Sequence, residues 1–130
     1  MTKGVLLIAV ALALGGCNGG TVDRHALRKD ASTLDSIACE GALLAHDVAR
    51  GRTTTYFARE QAEELRIQSS NFAGALSERK TVAGIESKVR QRARAAARLA
   101  STLQQLHDHP SNRVVGAEVE RALRRIGACP

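Results

Sequence analysis

The sequence predicts an all-α protein, an antiparallel up-down bundle of four helices, on two observations. First, small and apolar residues recur at alternating spacings of three and four in four successive segments, which is the pattern of helices that each bury one face. Second, only a few residues separate these segments, and short connections make consecutive helices antiparallel neighbours. No segment alternates apolar and polar residues as a half-buried strand does, so we expect no sheet.

The first two helices are predicted from their apolar stripes and from the residues between them. The stripe of the first comprises Leu27, Ala31, Leu34, Ala38, Gly41, Ala45 and Val48, and that of the second comprises Ala58, Ala62, Leu65, Ser69, Phe72 and Leu76. Gly51 is suited to end the first helix, because glycine readily adopts the left-handed conformation that follows many helix C-termini. Any of Thr53, Thr54 and Thr55 can cap the second helix with its hydroxyl.

The third and fourth helices follow the same pattern. The third stripe comprises Val82, Ile85, Val89, Arg92, Ala96, Leu99, Leu103 and Leu106, and the fourth comprises Val115, Val119, Ala122 and Ile126. Arg92 is the only charged residue in the four stripes. Pro110, Ser111 and Asn112 supply a turn and an N-cap between these helices. The stripes are rich in small residues, so helices can approach closely and no room for a large cofactor is implied; we expect no cofactor.

Residues 1–16 have the organisation of a secretory signal peptide. Lys3 and the amino terminus precede an uncharged apolar run, Val5–Leu14, and two glycines follow it. This order of positive charge, apolar stretch and small residues is typical of a cleaved signal. The run has about ten residues, whereas a helix that spans a bilayer needs about 20. We therefore expect the bundle to follow a cleaved signal peptide.

The end of this leader, Leu14-Gly15-Gly16-Cys17, resembles the lipobox of bacterial lipoproteins. The resemblance covers the leader and does not extend into residues 23–130. It implies that Cys17 receives a diacylglycerol with acyl chains such as palmitate, and that a peptidase cleaves before Cys17. Two acyl chains give stable membrane anchoring. The alternative is an exported protein without lipid, because Ala11-Leu12-Ala13 fits the A-x-A pattern for cleavage after Ala13.

The resemblance divides the chain into three parts and implies a location. Residues 1–16 are the signal peptide, residues 17–22 are the lipidated cysteine with a flexible tether, and residues 23–130 are the helical domain. The protein is then lipid-anchored on the extracytoplasmic or periplasmic side of the cell membrane or of the outer membrane. Asn18, where aspartate is the usual retention signal of this class, favours the outer membrane in a cell that has two membranes.

Two cysteines, Cys39 and Cys129, remain once Cys17 is assigned to the lipid. An even pair in an exported protein is more often a disulfide than two free thiols. Cys129 follows directly on the fourth helix, and a terminal residue just beyond its helix can reach toward Cys39. We therefore predict a disulfide between Cys39 and Cys129.

The charge of the chain is basic, with 19 Lys and Arg against 13 Asp and Glu. Without Lys3, the part that follows the leader keeps a net charge of +5. Arg90, Arg94 and Arg98 share one face of the third helix at a spacing of four. If the second and third helices turn near Arg79, this cationic face lies opposite the acidic residues Glu60, Glu63 and Glu64, which favours interhelical ion pairing.

The same cationic face has a functional interpretation. A tethered basic domain meets anionic lipid headgroups or anionic envelope polymers at short range. We expect no nucleic-acid partner, because such a partner is improbable outside the cell and the chain has only three aromatic residues for stacking on bases.

One end of the predicted bundle collects histidine and aspartate side chains. His46 and Asp47 end the first helix, while His107 and His109 end the third helix. Imidazole and carboxylate groups form acceptable ligand sets for a divalent metal such as zinc. Histidine is also favoured at helix C-termini by the helix dipole, so the pattern has a purely structural interpretation too.

The sequence contains no nucleophile elbow, no metalloprotease helix and no paired-carboxylate cleft, so we do not expect an enzyme. The function that it favours is that of a membrane-anchored, non-enzymatic binding or scaffold module of the cell envelope. Its expected partners are the membrane, through the N-terminal lipid, and an envelope protein or anionic polymer. The alternative is an envelope protein that binds a divalent metal through His46, His107 and His109.

Overall fold

A computed structural model of the chain describes residues 20–130, and it confirms the all-α bundle. The four helices are α1 (Arg24–Ala49), α2 (Thr55–Glu78), α3 (Glu86–Asp108) and α4 (Arg113–Ile126). Residues 20–130 contain no strand, and a single isolated bridge pairs Val22 with Thr81. Within residues 20–130, none of the four helices combines the length and the hydropathy that a membrane-spanning helix needs. The lipobox and most of the predicted tether lie outside the described residues.

Side-chain caps fix where three of the helices begin. The carboxylate of Asp23 accepts a hydrogen bond of 2.7 Å from the N–H of Ala26 at the start of α1. The hydroxyl of Thr54 caps α2 in the same way, and Asn112 caps α4. Each cap satisfies amide groups that lack an intrahelical partner. The predicted caps of α2 and α4 are therefore confirmed.

The turn that follows α1 depends on Gly51. Its φ of +67° lies in the left-handed region, which glycine adopts without the steric cost that a Cβ atom brings. The chain then reverses in five residues between Ala49 and Thr55. This short reversal holds α1 and α2 as antiparallel neighbours, as the sequence predicts.

All four helices meet in one layer around Gly41. A methyl group at this glycine would lie 2.9 Å from Leu123 Cδ1, 3.0 Å from Leu103 Cδ2 and 3.8 Å from Leu65 Cδ1. The three leucines are almost fully buried. The absence of a side chain at Gly41 therefore lets leucines from α2, α3 and α4 reach the centre of the bundle, where they form the main core.

Helix α4 is shorter than the other three, with 14 residues against 26, 24 and 23. It runs antiparallel to α1, because Gly116 lies against Ala45 and Ala49, whereas Gly127 lies against Asp35 and Ala38. The end of α4 therefore reaches only the middle of α1. Beyond this level the domain consists of three helices.

A second, smaller core closes the three-helix part. It contains Val22, Leu27, Leu76, Ile85 and Val89. Val22 is fully buried. Its N–H donates a hydrogen bond of 2.8 Å to the carbonyl oxygen of Lys80, and its carbonyl oxygen accepts one of 3.1 Å from the N–H of Val82. These two bonds hold the backbone of Val22 at the α2–α3 connection. Val22, predicted as the last residue of the tether, is thus part of the folded domain.

The connection between α2 and α3 differs from the prediction. Helix α3 begins at Glu86, so Val82 lies before the helix and is 44 % exposed. Gly84, with a φ of +94°, interrupts the helical conformation at this point. Seven residues, 79–85, therefore separate the two helices, and the register shifts so that Leu65 and Leu103 share a layer.

This register contradicts the predicted ion pairs between the helices. Glu63 lies near His107 and Asp108 and binds Arg66 of its own helix at 2.7 Å, rather than Arg94 or Arg98. The physical reason is the long connection, which moves α3 along α2 by about two and a half helical turns relative to a tight turn at Arg79.

Candidate functional site

The structure brings Cys39 and Cys129 to disulfide-bonding distance, with 5.3 Å between their Cα atoms. Cys39 lies within α1, and Cys129 lies in the tail that follows α4. Gly127 allows this approach, because a Cβ atom there would lie 2.6 Å from the Cβ of Ala38. The tail is also held by a hydrogen bond of 3.3 Å from the N–H of Ala128 to Asp35 Oδ1. The predicted pairing of the two cysteines is therefore seen.

The predicted metal ligands lie at one end of the bundle but in two separate groups. His46 Nδ1 lies 3.1 Å from Glu120 Oε1 on α4, and the same carboxylate accepts a hydrogen bond from Arg124. His107 Nδ1 lies 3.1 Å from Asp108 Oδ1 on its own helix. His46 thus faces α4, while His107 lies on the side of α3 that neighbours α2.

The other two predicted ligands do not join these groups. His109 is exposed and ends α3, and Asp47 is half-buried. Within residues 20–130 no group of three or more His, Cys, Asp or Glu side chains is placed so that it could hold a metal ion. The geometry of the described residues therefore gives no support to a metal site at His46, Asp47, His107 and His109.

Hydrogen bonds between side chains explain the shifted pKa values at this end of the bundle. The hydrogen bonds that the Asp108 carboxylate accepts, first from His107 and second from Gln104, lower the pKa of Asp108 below its ordinary value. The hydrogen bond from Arg66 lowers the pKa of Glu63, and the same bond raises the pKa of Arg66. These side chains are exposed or half-exposed, so the pairs anchor surface charges and contribute little to stability.

The positive charge is concentrated in one half of the domain. We call one end of the domain the basal half. It lies more than one helical turn from the Gly41 layer, on the side where α1 begins, and it comprises residues 20–36, 70–98 and 128–130. This half contains ten Lys and Arg and five Asp and Glu, a net of +5. The distal half, residues 37–69 and 99–127, contains eight of each, a net of zero. The basal half therefore carries the entire charge excess of the domain.

The predicted cationic face lies in this basal half. Arg90, Arg94 and Arg98 are all exposed, and within residues 20–130 none of them has a carboxylate within 4 Å. Between residues 87 and 107, α3 carries five cationic residues and no acidic residue. The three arginines are thus available to a partner.

A groove of about 520 Å³ opens between α3 and the end of α4. Three arginines line it: Arg92 and Arg98 from α3, and Arg125 from α4. The remaining lining residues are small, apolar or uncharged, and none is acidic. Two of the three arginines were not predicted as site residues. Arg92 gave a signal as the only charge in an apolar stripe, whereas the charge of Arg125 is accounted for by the helix dipole alone.

Comparisons with known proteins found no match: no family model matches the sequence, and no curated protein or solved structure does so either.

Proposed function

We propose that the chain is a lipid-anchored, extracytoplasmic helical module of the bacterial envelope. In this proposal the module is not an enzyme, and its basal half faces an anionic surface of lipid headgroups or envelope polymer. The observation that carries the proposal is the position of the charge excess. It lies in the half of the domain where the N-terminal segment joins the fold.

The leader supports the anchor. Leu14-Gly15-Gly16-Cys17 has the residue types that lipoprotein processing requires, and the apolar run before it has the length of a signal peptide. A diacylglycerol on Cys17 supplies two acyl chains, which hold a protein on a membrane where a single chain binds only marginally.

The cysteine pair supports an extracytoplasmic location. Disulfides persist in exported proteins and are rare in the reducing cytosol of ordinary bacteria. Cys39 and Cys129 are 90 residues apart in sequence, and closing a loop of this length stabilises a small domain by about 4.6 kcal/mol in the chain-entropy model. A bundle whose fourth helix is short benefits from such a constraint.

The path of the N-terminal segment supports an orientation. Val22 is fixed beside Lys80 in the α2–α3 connection, and four residues lie between it and Cys17, so that five Cα-to-Cα steps join the two. At the maximum extension of a peptide chain these five steps span about 17 Å. The anchor therefore keeps the basal half close to the membrane surface, where each Lys or Arg contributes about 1 kcal/mol of attraction to anionic lipid within a Debye length of about 8 Å.

Charge reversal in the basal half tests this orientation. We expect the chain without its leader, residues 17–130 with Cys17→Ser, to bind isolated envelope membranes at low salt, and we expect Arg90→Glu, Arg94→Glu and Arg98→Glu together to weaken that binding by about 100-fold or more. This factor corresponds to at least three contributions of about 1 kcal/mol. Co-sedimentation with the membranes measures the binding.

The matched control makes the same charge change in the distal half. Arg50, Arg52 and Arg59 are exposed and have no carboxylate within 4 Å in the described part of the chain. Their replacement by glutamate should reduce binding much less than the basal replacement. If both triple variants lose the same affinity, total charge decides the binding and the proposed orientation is wrong.

A further inference from the structure

We propose that the groove between α3 and α4, lined by Arg92, Arg98 and Arg125, binds the phosphate group of a ligand. This inference concerns a pocket on the side of the bundle and does not depend on the lipid anchor. It rests on the shape of the groove, on the unpaired arginines and on the absence of acidic residues in its lining.

The groove exists because α4 ends early. Helix α4 ends at Ile126, and Gly127 turns against α1, where it contacts Ala38 and Asp35. Toward the N-terminus of α3, beyond the level at which α4 ends, no residue of α4 covers the surface at Gln91 and Ala95. The groove is therefore a consequence of the fold and of the tail that leads to Cys129.

Arg92 occupies an unusual position for a charged residue. It lies in the inward stripe of α3 between Val89 and Ala96, which are both buried, and it is itself half-buried. Among the described residues no carboxylate lies within 4 Å of its guanidinium group. Partial burial of a cation without a counterion costs free energy. An anion bound beside Arg92 supplies the missing counterion and removes this cost. An apolar residue at this position would not carry the cost in the first place.

The three guanidinium groups suit phosphate. Each presents a planar fork of N–H donors that matches two phosphate oxygens, and such pairs are both short and strong. Ser101 and Thr102 also line the groove, and their hydroxyls already donate to the carbonyl of Arg98 at 3.0 and 2.8 Å. Their free lone pairs can accept a hydrogen bond from a hydroxyl on the ligand.

The size of the groove points to a ligand larger than a free ion. A volume of about 520 Å³ lies within the range of small-molecule sites, about 300 to 1,000 Å³. A phosphate ester with a few hydroxyl groups fits this volume and this mixture of cationic and hydroxyl groups. Phosphate of this kind comes either from a phospholipid headgroup or from a soluble phosphate ester, and the two sources share the chemistry that the groove recognises.

The test follows backbone amide shifts of residues 17–130 with Cys17→Ser by NMR during titration with two probes. The probes are inorganic phosphate and dihexanoyl-phosphatidylglycerol below its micelle concentration. We expect saturable shifts confined to residues 91–102 and 122–126. Tighter binding of the lipid probe indicates a headgroup as the natural source, and tighter binding of inorganic phosphate indicates a soluble phosphomonoester.

Single substitutions identify the arginines that bind. We expect Arg125→Gln and Arg98→Gln to weaken the binding of both probes by about tenfold each, the effect of one charge-assisted contact. Both residues are exposed, so these variants should fold normally. Arg94→Gln, on the same helix but outside the groove, is the matched control and should leave the affinity unchanged.

Two results would overturn the proposal. One is a set of shifts spread over arginines in all four helices, which indicates nonspecific ion binding. The other is an equal affinity in the Arg125→Gln variant and in the control. A failure of envelope binding with intact phosphate binding would instead contradict the proposed orientation alone.

Discussion

Gly116 lies where α4 passes closest to α1, and its replacement by alanine tests this packing. A Cβ atom at residue 116 would lie 2.7 Å from the backbone N of Ala49, 3.0 Å from the carbonyl O of Ala45 and 3.0 Å from Val48 Cγ1. Two of these three atoms belong to the helix backbone, which cannot rotate away as a side chain can. The two helices must therefore separate by several tenths of an ångström to admit one methyl group.

The expected magnitude follows from two opposing effects. Replacing glycine by alanine inside a helix stabilises the folded state by up to about 1 kcal/mol, because alanine has the higher helix propensity. Overpacking of a close interface costs about 1 to 3 kcal/mol. Because the contacts at Gly116 are with backbone, we place the cost at the upper end. We therefore expect Gly116→Ala to lower the free energy of unfolding by about 1 to 2 kcal/mol.

Gly74 provides the matched control. It lies in the interior of α2, is exposed, and has no atom within 4 Å of a Cβ added there. Gly74→Ala should therefore raise the free energy of unfolding by up to about 1 kcal/mol. Urea denaturation followed by circular dichroism measures both variants. If Gly116→Ala stabilises the protein as much as Gly74→Ala does, the close approach of α1 and α4 is wrong.

Three further predictions concern other parts of the domain. Replacement of both Cys39 and Cys129 by serine should lower the free energy of unfolding by about 4.6 kcal/mol, and thiol counting of the unfolded protein with and without reductant checks the bond itself. The pKa of Asp108 is lowered. Its contacts with His107 therefore stabilise the fold at pH values above the ordinary aspartate pKa of about 3.9. This contribution is lost as the pH falls through the lowered pKa. Urea denaturation between pH 2 and 6 should accordingly show a smaller acid-induced loss for Asp108→Asn than for the natural chain, and an equal loss would refute this role. Replacement of the N-cap Asp23 by alanine should cost about 1 kcal/mol, measured by thermal unfolding, and no change would show that the cap does not stabilise α1.

The sequence was sufficient to predict the four helices because local chemistry determines them. The spacing of apolar residues marks the buried faces, Gly51 allows the left-handed turn, and Thr54 and Asn112 provide the caps. The approach of the two cysteines was also predictable, since few cysteines were left to pair. The helices and their caps depend on neighbouring residues, and the cysteine pair depends on the number of cysteines. Neither prediction requires knowledge of how the helices pack.

The register of α2 against α3 was not predictable in the same way. Val82 continues the apolar spacing of α3, yet the helix begins only at Glu86 because Gly84 has a positive φ and Val82 binds the backbone of Val22. A contact between residues so distant in sequence leaves no local pattern. The resulting error in register moved the acidic side chains of α2 by about two and a half helical turns relative to the arginines of α3.

The arginine groove was missed for a related reason. The length of α4 can be read from the sequence, but the level at which it ends beside α3 depends on how both helices pack against α1. Arg92 was recognised only as an interruption of an apolar stripe. Its meaning emerges when the end of α4 at Ile126 leaves the space beside it uncovered.

The N-terminus of the mature protein is the most direct test of the lipid-anchored module. Intact-mass spectrometry of the protein extracted from envelope membranes of a bacterial host, after expression of the complete reading frame, gives both the cleavage site and the modification. We predict a chain that begins at Cys17 and carries the added mass of a diacylglycerol group. An unmodified chain that begins at Leu14, as cleavage after Ala13 produces, would contradict the lipid anchor and with it the proposed position of the basal half at the membrane.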